Sequence, residues 1–261
     1  MSRDGKRTSL DTANLPALPD GWCWATLGAL ADIEGGITKD QKRPQTPTMR
    51  EVPYLRVANV QRGFLDLAEV KTIWAEEAEI NALRLERGDI LFTEGGDRDK
   101  LGRGWVWGGE VADCIHQNHI FRARVFLRLV ESKFVSYHGN SFGQRWFVRT
   151  GKQTTNLASI NKSVLSRFPV PIPPPEEQRQ IVAEIEARLS ILDEAESQIE
   201  ANLKRSNRLR QSILKRAFPG KLVPQDPKDE PAAKLLERIN AERNGTKPQK
   251  ATRNRTARKT R

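Results

Sequence analysis

The chain has 261 residues, room for one good-sized domain with an extension or two small domains, and carries 44 lysines and arginines against 33 acids, a formal net charge of +11. That balance points to a polyanion such as nucleic acid rather than a membrane, and no apolar stretch approaches the ~20 residues needed to span a bilayer. Two cysteines without CxxC spacing, Cys23 and Cys114, argue against a disulfide framework and fit a reducing compartment, so a soluble cytoplasmic protein is expected.

In chain order, residues 1–15 are polar and read as a flexible arm. The domain begins at the turn Leu18-Pro19-Asp20-Gly21 with the aromatic anchors Trp22 and Trp24. A polar loop between Gly36 and Pro44 carries Lys39, Gln41, Lys42 and Arg43. Val52 to Val60 reads as a strand, and Gln61-Arg62-Gly63 as the turn into Phe64 to Leu67. A short amphipathic helix is expected over Ala75 to Leu85, then a strand from Gly88 to Thr93 entered by a turn. The glycine-rich loop from Thr93 to Gly104 permits close backbone approach, and its Arg98, Lys100 and Arg103 suit phosphates or guanine edges.

Trp105 and Trp107 lie two apart, so a strand would put both on one face, packed on the core. Cys114-Ile115 and His119 to Val125 alternate like further strand, and Ser132 to Asn140 starts a helix with Ser132 as candidate N-cap. A third cluster joins Arg145, Arg149, Lys152, Gln153, Thr154, Thr155 and Asn156, basic side chains beside hydrogen-bonding ones. Residues 16–170 thus predict an α/β (α+β) globular domain.

The proline block Phe168 to Pro175 then launches a long helix, with residues 171–217 forming spacer and helix together. From Glu176 to Arg216 there is neither proline nor glycine, and Glu176 and Glu177 complement the positive end of the helix dipole. Such a helix is roughly 60 Å long at 1.5 Å per residue. Ile185, Leu192, Ile199 and Ile213 follow a seven-residue repeat interrupted at Ser206, and Leu189, Leu203 and Leu209 widen that face. The stripe exceeds what the preceding domain could cover and calls for a partner helix.

Phe218-Pro219-Gly220 stops the helix, and residues 218–243 form a proline-broken connector and a short helix from about Ala232. Residues 244–261 read as a disordered basic tail: from Gly245 onward there are seven basic residues and no acid, leaving +4 for the rest of the chain. Nonspecific phosphate contact and an idle solvated terminus are equal readings of it.

Catalytic motifs are sparse. Asp113, His116 and His119 invite a metal-dependent nuclease reading, although two histidines beside the Cys114 thiol make an incomplete zinc set and alternation sets His119 opposite Cys114 and His116. There is no Gly-x-x-x-x-Gly-Lys-Ser/Thr phosphate loop, and no Asn/Asp-Pro-Pro-Tyr/Phe sequence of the kind that holds a flipped adenine.

The ordered set Leu18-Pro19-Asp20-Gly21-Trp22-Cys23-Trp24 with Leu27-Gly28, Tyr54 to Val60, Gly88 to Asp97, Pro171 to Gln178 and Gly220 to Pro227 resembles the DNA specificity (S) subunit of type I restriction-modification systems, from about residue 18 to residue 243. The resemblance implies a target recognition domain reading half of a bipartite site, a coiled-coil helix that sets the spacing, and a noncatalytic chain without cofactor. Methyltransferase subunits using S-adenosylmethionine and a restriction subunit using ATP and Mg are the implied partners. The common form has two recognition domains and two long helices; one of each here suggests a half-size form, acting as a homodimer or with a second half-size specificity chain. Lys39, Lys42, Arg43, Arg98, Lys100, Arg103, Arg145, Lys152, Gln153 and Asn156 are the candidate DNA contacts. The candidate subunit interface is Ile185, Leu189, Leu192, Ile199, Leu203, Leu209 and Ile213.

Overall fold

A computed structural model describes residues 15–38, 46–96, 100–127, 129–153 and 158–245. All of the expected arm except Leu15, and the tail beyond Gly245, lie outside these residues. The elements are β1 (Cys23–Thr26), α1 (Leu27–Leu30), β2 (Ala31–Gly35), β3 (Met49–Leu55), β4 (Lys71–Glu76), α2 (Glu77–Leu83), β5 (Ile90–Thr93), β6 (Gly95–Gly96), β7 (Gly104–Val106), β8 (Ile115–His116) and β9 (Ile120–Val125). They continue with α3 (Ser132–Ser141), α4 (Gly143–Thr150), β10 (Lys152–Gln153), β11 (Ala158–Ser159), α5 (Lys162–Ser166), β12 (Pro169–Ile172), α6 (Pro175–Ala217) and α7 (Ala232–Gly245). The chain divides into two compact units, Met1–Ile191 and Leu192–Arg261.

The first unit is mixed α/β. Its main sheet runs β2-β9-β5-β7, all antiparallel; β4-β3-β8, β10-β11-β6 and β1-β12 form three smaller ones. Every residue of β5 is buried, because successive side chains point to opposite faces and both faces are covered. Ile90 and Phe92 enter one cluster with Ile33, Phe147 and Phe168; Leu91 enters another with Leu55, Trp107 and Ile120.

The turn into β5 is fixed by charge. Arg124 forks onto Asp89 with Nε and Nη2 each at 2.8 Å, and the Glu86 N–H donates to the same carboxylate at 2.7 Å. Gly88 supplies φ +95° there, a conformation costly for other residues. On β7, the Asn140 side chain donates to the Gly104 carbonyl at 2.7 Å and accepts from its N–H at 3.1 Å, closing that edge as a neighbouring strand would.

Several expected boundaries differ. The strand expected over 52–60 is β3, which ends at Leu55; Val57–Asn59 turn into a 3-10 helix because Asn59 Oδ1 accepts the Arg56 N–H at 2.8 Å. Residues 71–76 form β4, paired along β3 from Met49↔Glu76 to Tyr54↔Lys71, so the helix expected from Ala75 begins only at Glu77. The N-cap of α3 is Glu131, which accepts from the Lys133 N–H at 3.4 Å; the Ser132 hydroxyl instead donates to the Gly88 carbonyl at 2.7 Å. Trp107 is buried as expected, while Trp105 is half-buried edge-on to Tyr137, with centroids 5.2 Å apart.

The start of α6 is tied into this unit. Gln178 accepts the Glu131 N–H at 2.8 Å and donates to the Pro173 carbonyl at 2.9 Å, Trp22 Nε1 donates to the Glu177 carboxylate at 3.2 Å, and Lys133 pairs with Glu186.

Two histidines make the fold acid-sensitive. His116 is fully buried with Nδ1 3.0 Å from the Ile120 carbonyl oxygen, and His138 stacks on Phe142 with Nε2 2.9 Å from the Pro169 carbonyl oxygen. Burial pushes both imidazoles down to about 4. Each ring therefore stays neutral in the fold while the unfolded chain takes up a proton near pH 6.5, so stability is complete above that value and is lost as pH falls toward 4. The expected loss is about 2 kcal/mol per ring between pH 7 and pH 5. Urea midpoints that stay level across this window would contradict neutral burial.

Candidate nucleic-acid interface

Register places two of the three predicted DNA-contacting clusters side by side. In the sheet β10-β11-β6, Gly96 and Gln153 both stand opposite Ala158, and Gly95 and Lys152 both stand opposite Ser159. Gly96 and Gln153, the last described residues before Arg98 and Asn156 in sequence, consequently stand at one end of one small sheet.

The third segment begins beside them. Thr93↔Ile120 and Gly35↔Phe121 bring the ends of β5 and β2 to the start of β9. Ile37 bridges in parallel to Gln117, its N–H donating to the His116 carbonyl at 2.8 Å and its carbonyl accepting the Asn118 N–H at 2.9 Å. The Glu94 N–H donates to the His119 carbonyl at 2.9 Å, and the Ile160 N–H to the Glu94 carbonyl at 2.8 Å. One hydrogen-bonded series thus runs from Ile37, which leads into the Lys39, Lys42 and Arg43 segment, to Ser159.

Of the candidate DNA contacts, Lys39, Lys42, Arg43, Arg98 and Asn156 lie outside the described residues. Lys152 and Gln153 are placed by their backbone pairing in β10. Lys100 and Arg103 belong to a folded turn rather than an open loop: the Thr93 hydroxyl donates to the Lys100 carbonyl at 2.8 Å and the Arg103 guanidinium to the Val57 carbonyl at 3.2 Å. Gly102, at φ +61°, lets that turn close on α4, since a Cβ there would stand 2.2 Å from the Phe147 ring. Arg145 and Arg149 are exposed one turn apart on α4, whose buried face is Gly143 and Phe147.

The nuclease constellation does not assemble. Asp113 is held in ion pairs by Arg50 at 2.5 Å and Arg84 at 2.8 Å, His116 is fully buried, and exposed His119 bonds to Glu94. Burial pushes the Cys114 thiol up to about 12, removing it as a ready thiolate. Among the described residues no three His, Cys, Asp or Glu side chains are grouped to hold a metal ion. By residue type alone the 116–119 turn suggests a metal site; its fixed place beside Ile37 and Glu94 comes from long-range pairing.

On α6 the predicted stripe is largely uncovered. Ile185 is half-buried, but Leu192, Ile199, Leu203 and Leu209 are 60–62% exposed, with Leu189 at 40% and Ile213 at 43%. Ile191 and Leu214, not singled out by the heptad, are exposed as well. Leucines and isoleucines at six-tenths exposure thus recur over about five turns, from Leu192 to Leu209. No helix among the described residues is long and apolar enough to cross a membrane.

Residues 19–205 match a family model described as the type I restriction modification DNA specificity domain. The specificity subunit of the type I restriction enzyme EcoDI from Escherichia coli is 41% identical over 251 residues, 92% of this chain and 52% of that protein. A chain from a structure concerned with complex assembly and conformational transition of the type I R-M system superimposes with TM-score 0.57 at 27% identity, covering 80% of this chain and 48% of that one. The crystal structure of the HsdS subunit from Thermoanaerobacter tengcongensis gives TM-score 0.55 at 20% identity, over 85% and 54% of the two chains, a likeness of fold. The chain spans about half the length of the curated relatives it matches.

Proposed function

The chain belongs to the type I restriction modification DNA specificity family, and on that premise we propose that it is the noncatalytic subunit that reads one half of a bipartite DNA site for a restriction-modification complex. The observation carrying this reading is that Gly96 and Gln153, which flank the stretches holding Arg98 and Asn156, stand opposite the same residue, Ala158, with Ile37 bridged to Gln117. Residues 16–170 act as the target recognition domain, and α6 is the spacer that joins it to a second long helix, carried by another copy or by a second specificity chain. An isologous pairing of two copies matches a palindromic split site.

The subunit works in the cytoplasm and docks modification subunits, which bind S-adenosylmethionine and methylate adenine, and a restriction subunit that uses ATP and Mg. The solved type I R-M assembly to which the chain is similar supports this partnership. No cofactor is assigned to the chain itself. The 244–261 tail adds sequence-independent attraction to phosphates.

Changing Arg145 and Arg149 together to alanine is expected to weaken binding of all duplexes alike and to reduce the slope of log K against log salt by about 1 to 2. Fluorescence anisotropy at several salt concentrations measures this. An unaltered slope would remove the exposed face of α4 from the DNA interface.

A further inference from the structure

The turn between β8 and β9 has the properties of a preorganised reading element. The Gln117 N–H donates to the Leu55 carbonyl at 2.9 Å, the Asn118 N–H to Ile37 at 2.9 Å, and the Gln117 carbonyl accepts the Ile120 N–H at 2.9 Å. Beneath it the buried His116 ring bonds to the Ile120 carbonyl. Gly36 lets the chain approach, because a Cβ there would fall 1.9 Å from the His116 carbonyl oxygen. The backbone is therefore fixed by groups from three other parts of the chain, without using the side chains of Gln117 and Asn118.

Those side chains are half-buried, and among the described residues neither amide has a hydrogen-bond partner. The amide atoms of both reach solvent on a rigid turn, where they are open to a ligand, and each amide offers one acceptor and two donors. The turn adjoins Glu94 and the β6 end, where the Arg98 segment leaves, and Ile37, where the Lys39 segment leaves. Glu94 also holds the His119 ring by Nδ1.

We propose that Gln117 and Asn118 are specificity-determining residues, their amides reading adenine by the paired contact to N6 and N7 in the major groove, with Glu94 and His119 as positioning residues beside them. The assignment rests on the DNA-reading function proposed above and names residues for it. The amide supplies an acceptor for the N6 amino group and a donor for N7, a pattern that no other base presents in that groove.

The test is adenine-methylation mapping in cells expressing the full chain with its modification subunits, as wild type, Gln117→Ala and Asn118→Ala. Each variant is expected to co-purify with those subunits at wild-type yield and melting temperature. Each is also expected to relax the modified site at one A·T position, its discrimination there falling roughly 5- to 150-fold. An unchanged motif in both variants would overturn the assignment. So would a uniform fall in methylation at an unchanged motif, which marks a phosphate contact. If a variant melts early, Asn118→Asp and Gln117→Glu replace it: they keep the shape, remove the donor to N7, and must shift the preferred base if the proposal holds. Absence of any split-site methylation with the wild-type chain is a distinct result; it would overturn the specificity function itself and this assignment with it.

Discussion

Replacing Leu192 and Ile199 together by glutamate is expected to abolish association of the long helix with its partner. Both side chains are about six-tenths exposed on α6, and fully burying such a residue is worth about 1.5–3 kcal/mol. Only the exposed six-tenths remains to be buried, so in a pairing of two copies the four side chains lost from the seam are worth about 4–7 kcal/mol in all, about a thousandfold or more in dissociation constant. Light scattering reads the outcome as a fall from the paired to the single-chain mass, or as loss of the second specificity chain. Local stability is unaffected, because the anchoring of α6 runs through Gln178, Val182 and Glu186. An unchanged mass would remove the stripe as an interface.

Asp89→Ala is expected to remove a large part of the recognition domain's stability. The carboxylate is almost wholly buried, takes two bonds from Arg124 and accepts the Glu86 N–H, so its removal strands that backbone donor and leaves the guanidinium with Glu86 and the Arg84 carbonyl. Breaking a buried pair from one side costs about 3–5 kcal/mol, against about 5–15 kcal/mol for an entire domain. Arg124 keeps Glu86 as a partner, at 2.6 Å, which places the loss at the lower end of that range. Urea unfolding of the variant measures it. A loss below about 1 kcal/mol would show that the Gly88-Asp89 turn stands without this lock.

What was legible in the sequence was whatever local chemistry decides. The absence of proline and glycine from Glu176 to Arg216 predicts one helix, and it runs Pro175–Ala217. The helix start at Pro175 and the stop before Pro219 follow from the same backbone rule. Gly88 before Asp89 announced the turn into β5.

Two of the misreadings lie where tertiary pairing overrides local pattern, and one where a local side-chain bond does. Lys71–Glu76 alternates as a strand should, yet pairing with β3 is what makes it one, and its end falls in the stretch whose periodicity predicts a helix. Val57 to Asn59 has strand-like composition, but the Asn59 side chain bonds Arg56 and closes a turn instead. Ser132 is a favourable cap residue drawn off by the Gly88 carbonyl, a neighbour 44 positions away in sequence. In the candidate interface, the basic and amide residue types were visible, whereas the pairing of β6 with β11 and the bridge from Ile37 to Gln117 were not, because both join parts of the chain distant in sequence.

Mapping adenine methylation across the host genome with and without this chain, after recovering it together with its modification subunits, tests the central claim most directly. The account predicts a two-part motif of fixed spacing that is methylated when the chain is present and disappears when its gene is deleted. Identical, inverted half-sites would assign the second long helix to another copy of this chain, and unlike halves would assign it to a different specificity chain. A methylome that does not change on deletion, with no methyltransferase recovered alongside the chain, would contradict the assignment of this chain as the sequence-reading subunit.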